Sequence, residues 1–226
     1  MIDAAKDELE KACPGKVSCS DIVAFAARDA SYFLSGGRIS FDMPAGRYDG
    51  NVSLASETLP NLPPPFASFD RLVKMFADKG LDYSDMITLS GAHSIGRSHC
   101  SSFSRDRLPP SNTSDMNPAF ATQLKANCTS PTGADNTVAQ DYKTPDQLDN
   151  QYYWNVINHK VLFASDAALL KSGDTAGLVY AAALFQQEWE DRFGKAMVKM
   201  GGVEVKTAAN GEIRKMCGYV NKPYSG

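Results

Sequence analysis

Leu89-Ser90-Gly91-Ala92-His93-Ser94-Ile95-Gly96-Arg97 sets one imidazole on an apolar, helix-compatible stretch between two glycines, which leave room for a flat group to approach. A histidine so placed can offer an axial nitrogen to haem iron; it can equally be a core or capping histidine held by hydrogen bonds. A second run, Asp141-Tyr142-Lys143-Thr144-Pro145-Asp146-Gln147-Leu148-Asp149, spaces hard oxygen donors along a short loop. All-oxygen coordination suits Ca²⁺ better than zinc or copper, and the same D-x-x-T-x-x-x-x-D pattern also serves as turns and helix caps. His93 and His99 cannot share a metal on one helix, because six residues advance the chain by roughly 600°. Five cysteines, Cys13, Cys19, Cys100, Cys128 and Cys217, leave one thiol unpaired in an oxidising compartment. In a reducing one they could be free thiols or zinc ligands, although no C-x-x-C pair occurs.

The His93 segment resembles the proximal-histidine motif of secretory (class III) plant haem peroxidases. Val17-Ser18-Cys19-Ser20-Asp21-Ile22-Val23-Ala24-Phe25-Ala26-Ala27-Arg28-Asp29-Ala30 is similar to a second motif of that family, in the same order. The resemblance implies a mainly α haem-peroxidase fold with a few short β or irregular segments, one haem b with His93 as axial ligand, and Asp166 of Phe163-Ala164-Ser165-Asp166 as the partner of its Nδ1. On residues alone, Asp166 is equally a helix-capping carboxylate. The resemblance also implies a proximal Ca²⁺ held by Ser94, Asp141, Thr144, Gln147 (through its carbonyl) and Asp149. It pairs Cys19 with Cys217 and Cys100 with Cys128, leaves Cys13 unpaired, joins Asp21 to Arg47 in a buried ion pair, and sets Pro63 at the donor-binding edge. Pro63 is otherwise a rigid turn, and Asp21 and Arg47 otherwise two exposed charges. His99 is expected near the haem edge, and Gln140 is polar where many relatives carry an apolar residue near the imidazole.

The implied activity is oxidation of small reducing donors, phenols among them, by hydrogen peroxide. The family's R-x-x-F-H-D-C motif, with its distal histidine and arginine, occurs nowhere in these residues, whose histidines are His93, His99 and His159. Ile2, Ala5, Leu9 and Ala12 form a helical face from the first residues with no capping residue before them. We therefore expect the C-terminal two-thirds or so of a peroxidase: 1–60 as a remnant of the distal half, 61–210 as the proximal half and 211–226 as a segment tied back by a disulfide. No catalytic acid–base residue and no distal calcium site are expected here, and turnover by this chain alone should be negligible.

The elements that must position these residues are mostly helical. Ser18 caps a helix with Asp21 at its third position, and Ile22, Val23, Phe25, Ala26 and Ala30 form the expected buried face, ending before Gly36-Gly37. Phe41 to Gly50 reads as a connector, and Leu62-Pro63-Pro64-Pro65-Phe66 as a rigid loop, since each proline removes an amide donor. Ser68 opens a helix through Lys79 closed by Gly80, and Ser84 opens the helix expected to carry His93. Pro109 to Asn117 and Thr129 to Asp146 are polar loops. Tyr152 to Val161 and Asp174 to Met200 are helical, with Phe185, Trp189 and Phe193 read as core packing.

With 226 residues and 43% hydrophobic content, the chain can bury a substantial core. A net charge of −3 without basic runs excludes a nucleic-acid groove or polybasic anchor. No apolar stretch approaches the roughly 20 residues that cross a bilayer, and the charged opening has none of the apolar core expected of a secretory signal. A monomer is the expectation. The resemblance implies secretion to the cell wall or vacuole, and N-x-[ST] triplets at Asn51, Asn112 and Asn127 agree with a secreted glycoprotein. Two other classes compete: a non-catalytic haem- or calcium-binding cell-wall protein, and a cytosolic helical interaction module with reduced cysteines.

Overall fold

The computed structural model describes residues 1–111 and 114–221, so the Asn112 triplet lies outside the described residues. Its helices are α1 (Ile2–Ala12), α2 (Cys19–Leu34), α3 (Thr58–Asn61), α4 (Phe69–Ala77), α5 (Tyr83–Ser90), α6 (Ser104–Arg107), α7 (Pro118–Cys128), α8 (Gln151–Ile157), α9 (Ala164–Ala167), α10 (Gly173–Leu184) and α11 (Gln186–Gly201). Two antiparallel ribbons complete it. β1 (Asp49–Gly50) pairs with β4 (Gly211–Glu212), and β2 (Arg97–His99) pairs with β3 (Thr137–Ala139). The expected mainly α fold with a few short strands is what forms.

Local chemistry accounts for the helix starts. The Ser18 hydroxyl accepts the Asp21 amide at the head of α2, and Ser68 accepts that of Arg71 at the head of α4. Asn117 does the same for Phe120, with Pro118 occupying the first helical position where no amide is needed. At α5 the cap is Asp82, which accepts the Asp85 amide while Asp85 accepts that of Asp82. Ser84, expected as the start, is already inside the helix, because a reciprocal carboxylate box satisfies two orphan amides at once.

The main core gathers Met86, Ile87 and Leu89 of α5, Tyr152, Tyr153 and Val156 of α8, Val179 and Ala183 of α10, and Trp189, Phe193, Ala196 and Met197 of α11. A second cluster, around Phe103, Leu108, Phe120, Leu124, Val138 and Leu162, lies beside the Cys100–Cys128 disulfide. Cys19 is bonded to Cys217, and Cys13 is a free, half-buried thiol.

Four local expectations are corrected. Val23 is 53% exposed and Ala30 is exposed, so α2 buries only Cys19, Asp21, Ile22 and Ser31; its first turn, not an apolar stripe, makes the deep contacts. In α1 the buried residue is Lys6, 1% exposed, with Nζ 2.6 Å from both Glu10 Oε1 and the Val17 carbonyl, while Ala5 and Ala12 face solvent. Phe185 is exposed at the break between α10 and α11, where its backbone leaves the helical region (φ −120°, ψ 73°), whereas Trp189 and Phe193 are buried. Finally, the Thr129 to Asp146 loop contains β3, whose partner β2 follows the His93 turn.

Candidate functional site

His93 does not sit on α5 itself. It lies on a single 3-10 turn, Gly91–Ser94, that tightens the end of that helix. The glycines on either side serve ends other than those read from the sequence. A Cβ on Gly91 would stand 2.7 Å from Trp189 Cζ2 and 2.7 Å from Tyr153 Oη, so that glycine admits the core's own aromatic rings. Gly96 has φ +89°, a left-handed conformation that lets the chain turn into β2.

Asp166, expected as the imidazole's partner, is on α9, 3% exposed, with Oδ1 2.8 Å from His93 Nδ1. Burial alone would lower the His93 pKa, but the Asp166 charge and hydrogen bond outweigh it and hold the imidazole above its ordinary value. A buried carboxylate on Nδ1 fixes the proton there and leaves Nε2 as the lone-pair nitrogen. His93 Nε2 makes no hydrogen bond among the described residues, and the ring stands edge-on to Phe163, centroids 5.4 Å apart, and to Tyr152, 6.1 Å.

Sequence reasoning missed Tyr152. Fully buried on α8, its hydroxyl donates to the same Asp166 Oδ1 at 2.7 Å. Burial, then the neighbouring Asp166 charge, push this phenol well above its ordinary pKa, so it stays a donor. Only its position in a helix was readable, since the partner is fixed by how α8 and α9 pack.

The five oxygen-bearing residues come together. Ser94, fully buried, donates its hydroxyl to the Gln147 carbonyl at 2.7 Å and lies 3.2 Å from Asp149 Oδ1. Thr144 Oγ1 reaches the same Asp149 oxygen at 3.2 Å. Asp141 is fully buried; its Oδ1 accepts the Lys143 and Thr144 amides at 2.7 and 3.1 Å, and its Oδ2 is buried with no partner. An orphaned carboxylate oxygen in such a place costs free energy unless a cation or donor meets it. Among the described residues no three His, Cys, Asp or Glu side chains converge as a metal group. This cluster mixes two carboxylates with hydroxyl and carbonyl oxygens, a donor set that fits a hard cation.

The remaining expected residues fall around this centre. Pro63 is exposed in the loop after α3, and two residues on, the Pro65 carbonyl accepts the Ser165 amide at 2.9 Å, which ties the loop to the Asp166 segment. The Gln140 amide donates to the Gly96 carbonyl at 3.0 Å. His99, on β2, is exposed with Nδ1 3.2 Å from the Asp135 carbonyl, and His159 faces Asp115. Asp21 and Arg47 meet at 2.9 Å, both largely buried.

A mainly helical scaffold thus holds a buried carboxylate on an imidazole beside an oxygen-lined loop. The family model described as "Peroxidase" matches residues 1–184, and the chain belongs to that family. It is 55% identical over 223 residues to Peroxidase 2 of Zea mays, covering 98% of this chain and 66% of that protein. Peroxidase 5 of Vitis vinifera is 46% identical over 228 residues, with 98% and 68% covered, and Peroxidase 1 of Zea mays 44% over 231 residues, with 98% and 62%. The chain thus spans about two thirds of the length of these curated relatives.

Proposed function

We propose that these residues form the haem- and calcium-holding part of a peroxidase that oxidises small reducing donors, phenols included, with hydrogen peroxide. The observation that carries this reading is the 2.8 Å contact between buried Asp166 and His93 Nδ1, which leaves Nε2 free for iron. Haem b, when bound, would supply the redox chemistry with peroxide. The chain's own residues supply the setting: Asp166 makes His93 a more electron-rich ligand, which favours the ferric state. Ser94, Asp141, Thr144, Gln147 and Asp149 would hold Ca²⁺ directly beside that ligand, with Asp141 Oδ2 as the oxygen in need of a cation. Pro63, set at the donor-binding edge by the resemblance, lies two residues before Pro65, whose carbonyl accepts the Ser165 amide. His99 faces Asp135 and His159 faces Asp115.

Two disulfides and relatives that are plant peroxidases support an oxidising, secreted location, in the cell wall or vacuole. Asn51 and Asn127 are exposed, as glycan acceptors must be. The test is peroxide-dependent phenol oxidation by a haem-loaded form extended to the relatives' full length. Turnover is expected, and His93→Ala should abolish it; an equally active variant would refute the assignment.

A further inference from the structure

Asp166 is loaded unevenly. Its Oδ1 receives both the Tyr152 hydroxyl at 2.7 Å and His93 Nδ1 at 2.8 Å, while its Oδ2 is buried and bare among the described residues. A carboxylate oxygen has two lone-pair directions, and here each is spent on a different donor. Two donors on one acceptor compete for its electron density. The phenol's position leaves it little freedom, because Tyr152 is 2% exposed and packs edge-on against Tyr153 with centroids 5.1 Å apart. Tyr153 is itself fixed by hydrogen bonds to the Ile87 and Thr88 carbonyls of α5, the helix that leads into the His93 turn.

We propose that Tyr152 is a positioning residue for His93: it takes half of Asp166 Oδ1 and thereby limits the strength of the His93–Asp166 hydrogen bond. An unshared carboxylate would pull harder on the Nδ1 proton and make the imidazole more anionic, and a more anionic imidazole binds ferric iron more tightly and lowers its reduction potential. Tyr152 thus sets how far the histidine is pushed, and Asp166 sets the direction. This deepens the reading of His93 as an iron ligand, but the hydrogen bond itself exists whether or not haem is bound.

The test removes one hydroxyl and keeps the ring: Tyr152→Phe, with Tyr153→Phe as the control that loses a comparably buried hydroxyl bonded to the Ile87 and Thr88 carbonyls and to Trp189, and not to Asp166. In the haem-free chain, the His93 Nδ1 proton observed by ¹H–¹⁵N NMR should move downfield in Tyr152→Phe and stay in place in Tyr153→Phe. In haem-loaded protein, the iron–histidine stretching frequency of the ferrous form should rise in Tyr152→Phe alone. Equal proton shifts in both variants, or none in either, would overturn the proposal. A downfield proton in a protein that shows no iron–histidine stretch would preserve the role of Tyr152 and defeat the haem reading instead.

Discussion

His93, Ser94, Asp149 and Tyr152 form a closed circuit. Ser94 follows the imidazole and bonds the Gln147 carbonyl; Asp149 accepts the Gln151 amide that opens α8, and α8 carries Tyr152 to the carboxylate that holds His93. A cation in the oxygen cluster would therefore hold the turn that bears the ligand at its Ser94 end. Asp141→Asn, which keeps size and removes one of two carboxylate charges, should weaken Ca²⁺ binding about tenfold or more, as the charge dependence of calcium sites implies. Titration calorimetry on the haem-free chain checks this, and equal affinity in the variant would remove Asp141 from the ligand set. The members of this circuit were legible to unequal degrees. His93, Asp166 and the oxygen donors stand in short motifs, whereas Tyr152 is one aromatic among several on a helix, and its role depends on which face of α8 meets α9.

α2 is held by its first turn. The carboxylate of Asp49, 2% exposed, accepts the amides of Cys19 at 3.0 Å, Ser20 at 2.7 Å and Arg214 at 3.0 Å, together with the Ser20 hydroxyl at 2.9 Å. It joins the head of α2, β1 and the C-terminal segment beside the Cys19–Cys217 disulfide. Burial would raise its pKa, but the Arg214, Cys19 and Ser20 amides stabilise the anion and hold it below the ordinary aspartate value of 3.8. A depressed carboxylate contributes stability that is fully present above its ordinary value and is lost as pH falls through its lower folded value. Asp49→Asn should accordingly lose stability at neutral pH and show a flatter decline in urea midpoint between pH 5 and pH 3 than the unaltered chain. A parallel decline would place the acid sensitivity elsewhere. Asp49 was invisible in sequence because its four donors come from positions 29 to 165 residues away. The α2 cap at Ser18, by contrast, was readable since it spans three residues, and the break at Phe185 was not, because Gly173 to Gly201 carries no proline to mark it.

At the scale of the whole molecule, two aromatic-rich clusters and two disulfides build a scaffold in which the buried polar groups Asp166, Asp141 and Ser94 stand around the His93 turn and Asp49 ties the C-terminal segment to α2. Exposed Val23 and Phe33, the latter 75% exposed, lie on α2, and Leu59, Leu62 and Phe66 flank the Pro63 loop. The general architecture was readable from helix caps and from the two motifs that carry the resemblance; the degree to which α1 and α2 expose apolar surface was not, since amphipathic spacing says which residues share a face and not what covers it. The haem-holding role rests on His93 as the nitrogen presented to iron. The most direct measurement is the absorption and resonance Raman spectrum of the 226-residue chain titrated with haem, beside its His93→Ala variant. A five-coordinate, high-spin, histidine-ligated spectrum in the unaltered chain that disappears in the variant is the expected result, and identical spectra from the two proteins would contradict it.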